Sequence, residues 1–397
     1  MTGRPELHRR CFAIDGGEGG ALLAELERSS SFERVYSPRH ADTLLVFGPL
    51  SRKLVPAARQ LARAVPRPAS ALVVADASEL LPGLRPFEPR EVQFALAGEL
   101  PELNVADGPE PEPTELNLPD RKELEIATEI VVHSLGPIQA FTDGPLRVLL
   151  ACDGEQVLFA RIEAGFASRG LAEAMKGTTK EEALRLAERI VPGSPAAGRL
   201  ALLRELDRER SSPEHALLAA ELATQSAAAT LRWTHRLFSA MAWPAREREA
   251  ADLVASADRN GGLAESIGRW AAKLGRDRLL RLRTAGVGRV PEDLESPAAA
   301  RELIGAPGED VRGRLLRRLL IAARRLREPA YGNAVHSSRG PLRVGAGVSD
   351  GRVANVTWET PTAATLPFVP RLLQGHRLAD AEVVLASLDL CAAEADP

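Results

Sequence analysis

A chain of 397 residues is long enough for two or three packed units, and its 45% hydrophobic and 26% charged residues are ordinary for globular protein. With 51 Lys and Arg against 54 Asp and Glu the net charge is -3, which excludes a polycationic nucleic-acid binder and a disordered acidic chain. No run approaches the roughly eighteen apolar residues of a membrane span, and MTGRPELHRR at the start has neither the apolar stretch nor the cleavage site of a secretory signal, so a cytoplasmic protein is expected.

In chain order, a loop with Gly16, Gly17, Gly19 and Gly20 precedes a helical stretch, ALLAELERS. TLLVFG (43–48) and SALVVAD (70–76) are apolar runs of strand length, and between them residues 51–65 repeat their apolar side chains at helical spacing. Strand, helix, strand predicts a parallel pair with a right-handed crossover, so residues 1–105 read as a small α/β domain. Residues 106–120 carry four prolines among acidic residues with no apolar period and read as an extended linker.

Beyond the linker the texture changes. Residues 145–165 are two alternating apolar runs joined at Asp153-Gly154, a strong hairpin signal. From 180 to 327 the pattern is helical, broken at Pro192-Gly193, Pro213, Pro244, Asn260 to Gly262 and GAPGED (305–310). Residues 342–359 repeat the hairpin pattern around Asp350-Gly351. Residues 121–397 therefore read as an α+β domain with a helical-bundle core and flanking β-hairpins. Along 312–328, Arg314, Arg317, Arg318, Arg324 and Arg325 stand opposite a stripe of leucines and Ile321, which predicts a solvated or partner-facing helix face.

Candidate chemistry is sparse. Cys11, Cys152 and Cys391 are too few and too far apart for a four-thiolate cluster, and buried free thiols are expected. The histidines at 40, 133, 215, 235, 336 and 376 lack metal-ligand spacing. Asp15, Glu18 and Glu25 cluster at a predicted helix start, where carboxylates act as caps, and Ser194 sits in a GSP turn without a nucleophile elbow.

Two sets of segments resemble known subunits. SPRHADTLLVFGPLSRKLVPAARQLARAVPRP (37–68) resembles the small, cluster-bearing subunit shared by complex I and energy-converting nickel-iron hydrogenases. GPIQAFTDGPLRV (136–148), EAGFASRGLAEAMKG (163–177), GEDVRGRLLRRLL (308–320) and LPFVPRLLQGHRLADAEVVLASLD (366–389) resemble their large, catalytic subunit. The resemblance implies a fusion: a flavodoxin-like small domain followed by a large-subunit-like domain. Laid on the family pattern, the iron-sulfur ligands fall at Gly19, Leu22, Ala77 and Gly108, and the nickel-iron ligands at Val191, Ser194, Cys391 and Glu394. The quinone-site histidines fall at Gln139 and Asp143, no tyrosine stands in 188–198, and Glu394 and Asp396 match the acidic tail of the complex I version.

The resemblance thus implies a redox-silent structural or coupling subunit without cofactor, where the family carries an iron-sulfur cluster, a nickel-iron centre or quinone. The alternative is an oxidoreductase subunit using a non-standard centre or a quinone-like ligand between the halves. Its implied partners are the other subunits of such a complex, ferredoxin-like and antiporter-like ones included, at the cytoplasmic face of the inner membrane, with no nucleic acid. Within the old site a buried cluster of Arg169, Arg189 and Glu394 is expected, and the 15–22 loop is expected to face the 188–198 turn and the C-terminal tail.

Overall fold

The computed structural model describes residues 9–17, 32–47, 50–51, 53–66, 69–74, 85–86, 130–139, 141–168, 170–207, 213–256, 262–328 and 335–395. Gly19, Leu22, Ala77 and Gly108, the predicted linker, Arg169 and the helical stretch after Gly20 lie outside the described residues.

The first sheet contains β1 (Arg9–Asp15), β2 (Phe32–Arg34), β3 (Thr43–Phe47), β4 (Ser70–Val74) and β5 (Arg85–Pro86), in the order β2-β1-β3-β4-β5. The first four are parallel, and the two-residue β5 runs antiparallel to β4. Every residue of β3 is buried, which is why it reads as a continuous apolar run. Helix α1 (Val55–Ala64) forms the crossover between β3 and β4, as the pattern of 43–76 predicts, and lays Ala58 and Ala62 against the sheet. Strand β1, with buried Phe12 and Ile14, is a structural result that the sequence pattern did not single out.

Phe166, remote in sequence, completes this core alongside Phe12, Ile14, Leu44 and Leu54. Ser51 donates its hydroxyl to the Phe166 carbonyl, and Lys53 Nζ donates to the Ala164 carbonyl at 2.7 Å while lying 4.2 Å from the Phe166 ring. The parallel sheet is thereby tied to the remainder of the chain by an aromatic anchor with a cation over its face.

The remaining β structure is two antiparallel sheets. One holds β6 (Ile130–Leu135), β7 (Arg147–Asp153) and β8 (Gln156–Glu163), with β7 central and Val148, Leu150 and Cys152 facing inward at the period of two. Pairing runs to Asp153 and Gln156, so the turn residues are Gly154 and Glu155, one place beyond the Asp-Gly pair itself. The other holds β9 (Val335–His336), β10 (Pro341–Ser349) and β11 (Arg352–Glu359). Here Asp350 (φ 54°) and Gly351 (φ 73°) are the two turn residues, both left-handed as a type I′ turn requires.

Helices fill the space between. They run as α2 (Leu171–Ala174), α3 (Lys180–Glu188), α4 (Pro195–Leu206), α5 (Pro213–Ala240), α6 (Pro244–Ser256), α7 (Leu263–Arg276), α8 (Arg278–Thr284), α9 (Ala298–Ile304), α10 (Val311–Arg327), α11 (Pro361–Thr365), α12 (Val369–Leu373), α13 (Leu378–Ser387) and α14 (Ala392–Ala395). The predicted breaks at 192–193 and 305–310 hold helix boundaries, Pro213 and Pro244 each open a helix, and Gly262 directly precedes one. A capping box starts α3: Thr179 Oγ1 accepts from the Glu182 amide and Glu182 Oε2 accepts from the Thr179 amide at 2.9 Å. The 28-residue α5 joins two apolar clusters, giving Leu218 and Leu222 to one and Leu231, Trp233, Leu237 and Phe238 to the other.

Two observations correct or sharpen sequence expectations. The helix α10 does not present a fully solvated arginine face: Arg314 is 0% and Arg318 3% exposed, whereas Arg324 is open to solvent. Charge counting on a helical wheel misses this because buried acceptors on other segments can pull guanidinium groups inward. Second, Gly198 lets α3 and α4 close on each other, since a Cβ there would lie 2.0 Å from the Ala187 carbonyl oxygen. Gly198→Ala is expected to destabilise the protein by about 1–3 kcal/mol through overpacking, read as a lowered urea midpoint with unchanged slope.

Candidate functional site

An ionic network, largely buried, stands where five parts of the chain meet. Helix α5 contributes Arg232 and Arg236, one turn apart, with Trp233 between them in sequence. Helix α10 contributes Arg318, the turn between β9 and β10 contributes Arg339, and the loop before β7 contributes Asp143. The end of α13 and the short α14 supply Asp389, Cys391 and Glu394. Asp389 lies just past α13 with φ 49°, a left-handed position that stops the helix and turns its carboxylate into the interior.

Arg339 is the hub, with every donor group engaged. Its Nε donates to the Asp389 carbonyl at 2.8 Å, Nη1 to Glu394 Oε1 at 3.1 Å, and Nη2 to both Asp143 Oδ2 and Asp389 Oδ1. Asp389 also accepts from Arg318 Nη2 and Arg236 Nη2, each at 2.7 Å. Glu394 Oε2 accepts from Thr362 Oγ1 at 2.9 Å, and the Glu394 carbonyl accepts from Thr360 Oγ1. The backbone is stitched at the same place: the Asp143 amide donates to the Leu390 carbonyl and the Ala392 amide to the Asp143 carbonyl, each at 2.8 Å.

The electrostatics follow from burial and these pairings. Burial pushes the Asp143 carboxyl up, but Arg236 and Arg339 outweigh it and bring it down to about 2. Asp389 is held below its ordinary value for the same reason, burial being overcome by Arg339, Arg318 and Arg236. In Glu394 burial wins, and its carboxyl is raised despite Arg339 and Thr362. Burial likewise pushes the Cys391 thiol well above its usual range, so this sulfur is a neutral thiol rather than a thiolate.

The network locates the positions named on the resemblance. Val191 and Ser194 are buried in one turn, closed by a bond from the Ser194 amide to the Val191 carbonyl at 2.9 Å. That turn reaches the network through Gly193, whose carbonyl accepts from Arg232 Nη2 at 3.3 Å and at which a Cβ would lie 3.4 Å from Arg339 Nη1. Cys391 and Glu394 are buried, and Glu394 bonds the same Nη1 of Arg339. Gln139 is held in its loop by a 3.1 Å bond to Thr142 Oγ1, while Asp143 is an ion-pair partner of Arg339. At the end of β1, Gly17 packs so closely that a Cβ would lie 2.9 Å from the Ala167 methyl and 3.8 Å from that of Ala393, so this part of the 15–22 loop faces the tail.

The guanidinium bonded to Glu394 is that of Arg339, and Arg189 caps the end of α3 instead. Arg169 is outside the described residues. For the described residues the expected cluster is corrected accordingly: Arg339 takes the place given to Arg189 beside Glu394. Arg339 escaped sequence reasoning because an Arg-Gly in a turn carries no periodic signal. Arg232 and Arg236 at i and i+4 on an otherwise apolar helix face were a legible sign of inward charge.

These residues do not fit a nickel-iron centre. Such a centre needs soft thiolate donors, whereas the site offers the single neutral thiol of Cys391 and a guanidinium bonded across the gap between the carboxylates. Among the described residues no group of three His, Cys, Asp or Glu is placed to hold a metal ion.

With Glu394→Ala, the Nη1 donor of Arg339 and the Thr362 hydroxyl lose their acceptor in a dry place. A loss of about 1–3 kcal/mol is expected, read as a lowered melting temperature, with Glu394→Gln losing less because it keeps an acceptor oxygen.

The fold is thus a mixed α/β chain in which a helical core carries two antiparallel sheets and a parallel sheet docks beside its buried polar centre. No family profile matches the sequence. The chain is 32% identical over 160 residues to the D 2 subunit of NADH-quinone oxidoreductase from Chloroflexus aurantiacus, an alignment spanning 35% of this chain and 39% of that relative. It shares its fold with a chain of the membrane-bound sulfane sulfur reductase, an archaeal respiratory membrane complex, at a TM-score of 0.57 and 17% identity, over 68% of this chain and all of that one. The protein is therefore related to a complex I subunit and has the fold of a respiratory-complex chain. Among the described residues no helix is long and apolar enough to cross a membrane.

Proposed function

We propose that the protein is a redox-silent structural or coupling subunit of a complex I-like membrane complex, built as a fusion of a flavodoxin-like small-subunit unit with a large-subunit unit. The observation that carries this reading is Arg339, which bridges Asp143, Asp389 and Glu394 beside the positions where the family carries its metal ligands. A cation fixed by three carboxylates substitutes for a metal as the electrostatic centre of the fold, without electrons to exchange. On this reading the complex holds the protein at the membrane surface through partner subunits, ferredoxin-like and antiporter-like ones among them.

The test is purification of the tagged, full-length protein from its native membranes in mild detergent under anaerobic conditions. Membrane subunits are expected to co-purify, with substoichiometric iron and nickel on this chain and no charge-transfer absorbance. One nickel or about four irons per chain would overturn the redox-silent reading, and recovery of the protein alone from solubilised membranes would overturn its place in a complex.

A further inference from the structure

Charge inside the arginine network does not balance. Among the described residues Arg232, Arg236, Arg318 and Arg339 face Asp143, Asp389 and Glu394, one cation more than there are carboxyl groups. The surplus falls on Arg232. Among the described residues it has no carboxylate within ion-pair distance, and its hydrogen bond is to the Gly193 carbonyl.

Unmet donors belong to the same arginines. Arg318 is 3% exposed and spends Nη2 on Asp389 and the Ser338 carbonyl, leaving Nε and Nη1 buried without a partner. Its guanidinium lies 3.8 Å from the Trp233 ring, a contact with the flat face that does not satisfy in-plane N–H groups. Arg236 Nε is also buried and unpartnered, as is the hydroxyl of the fully buried Ser194, next to the glycine that Arg232 holds. Buried donors without acceptors and a half-buried surplus cation are both costly, and an anion bound beside Arg232 lowers both costs.

We propose that the cluster formed by Arg232, Arg236 and Arg318 with Ser194 is a binding site for a small monovalent anion, of the halide or formate class. The single surplus charge argues against a dianion, which the three neighbouring carboxylates would repel. Near-complete burial of Arg318 and Ser194 argues for a ligand of one to three heavy atoms, and the side chains of Asp143 and Arg236, 14% and 13% exposed, mark where it exchanges with solvent.

This inference rests on the metal-free reading of the same site, so the test measures both in one sample. Full-length protein is exchanged into gluconate, an anion too large for the site, and its iron and nickel are determined. Its melting temperature is then followed on replacing gluconate with bromide at constant ionic strength. A saturable rise of about 2 °C or more by about 0.1 M bromide is expected, and its loss in Arg232→Met. Should that variant fail to fold, chloride-35 line broadening on the wild-type protein, reversed by formate, gives the answer without it. Equal melting temperatures together with no formate-sensitive broadening in a metal-free sample would overturn the anion site alone, whereas stoichiometric metal would overturn the reading beneath it.

Discussion

Arg339→Met is expected to destabilise the protein by about 3–5 kcal/mol, enough to leave a large unfolded fraction in a marginally stable chain. Methionine fills much of the volume but leaves Asp143, Asp389 and Glu394 facing one another, together with the Asp389 carbonyl that Arg339 Nε had capped. Arg236 and Arg318 remain on Asp389, and Thr362 on Glu394, so Asp143 is the group left most exposed to the loss. Lysine is a poor replacement because one ammonium cannot span three carboxylates and a carbonyl along a planar fork. Denaturant melts of wild type, Arg339→Met and Arg339→Lys check this directly. If both variants fall within about 0.5 kcal/mol of wild type, the network is not structural.

How much of this was visible beforehand depends on whether a feature is periodic. The β3, α1 and β4 unit, the Asp350-Gly351 turn and the proline-marked helix breaks all carry local signals, because alternation, helical spacing and turn residues are properties of neighbouring positions. The burial of Arg314 and Arg318 has no such signal. The identical helix, packed against apolar neighbours only, would turn both outward, and what draws Arg318 in is Asp389, seventy-one residues away. The same holds for Glu394: the sequence marked it as a carboxyl needing a cation, but the choice of Arg339 over nearer arginines is made by the tertiary path of the turn before β10. The edge strand β6 was overlooked for another reason, since Val131 and Val132 are both half-exposed and its pattern therefore does not alternate cleanly. Local chemistry specifies the elements, and the buried charges record how they meet.

The mirror-image substitution, Asp389→Asn, isolates charge from shape. Asparagine accepts the left-handed backbone at this position and keeps the size and one acceptor oxygen, so neither strain nor a cavity contributes. What is lost is the negative charge shared by Arg236, Arg318 and Arg339, together with one acceptor oxygen whose amide replacement faces a guanidinium donor, leaving three guanidinium groups with only Asp143 and Glu394 among them. A loss of about 3 kcal/mol at neutral pH is expected. The pH dependence separates this from a packing defect. Asp389 and Asp143 are both held below their unfolded value of 3.8, Asp143 at about 2. A carboxyl depressed in the folded state stabilises fully above its unfolded value and loses that contribution as pH falls through its folded value, so wild-type stability declines on acidification from about pH 4 downward. Glu394, raised in the folded state, acts with opposite sign: its contribution is complete below its unfolded value of 4.5 and is lost as pH rises through the folded one. Asp389→Asn is therefore expected to start lower at pH 7 and to lose less below pH 4, because one of the network's two acid-sensitive groups is gone. Asp143→Asn combined with it is expected to make that limb shallower still, the remainder coming from carboxyls held low elsewhere, such as Glu249 and Glu302, and Glu394→Gln to remove the network's decline on the opposite side. Urea midpoints measured from pH 3 to pH 7 give the comparison, and an acid limb of undiminished steepness in the double variant would show that the stability of this site does not come from its ion pairs.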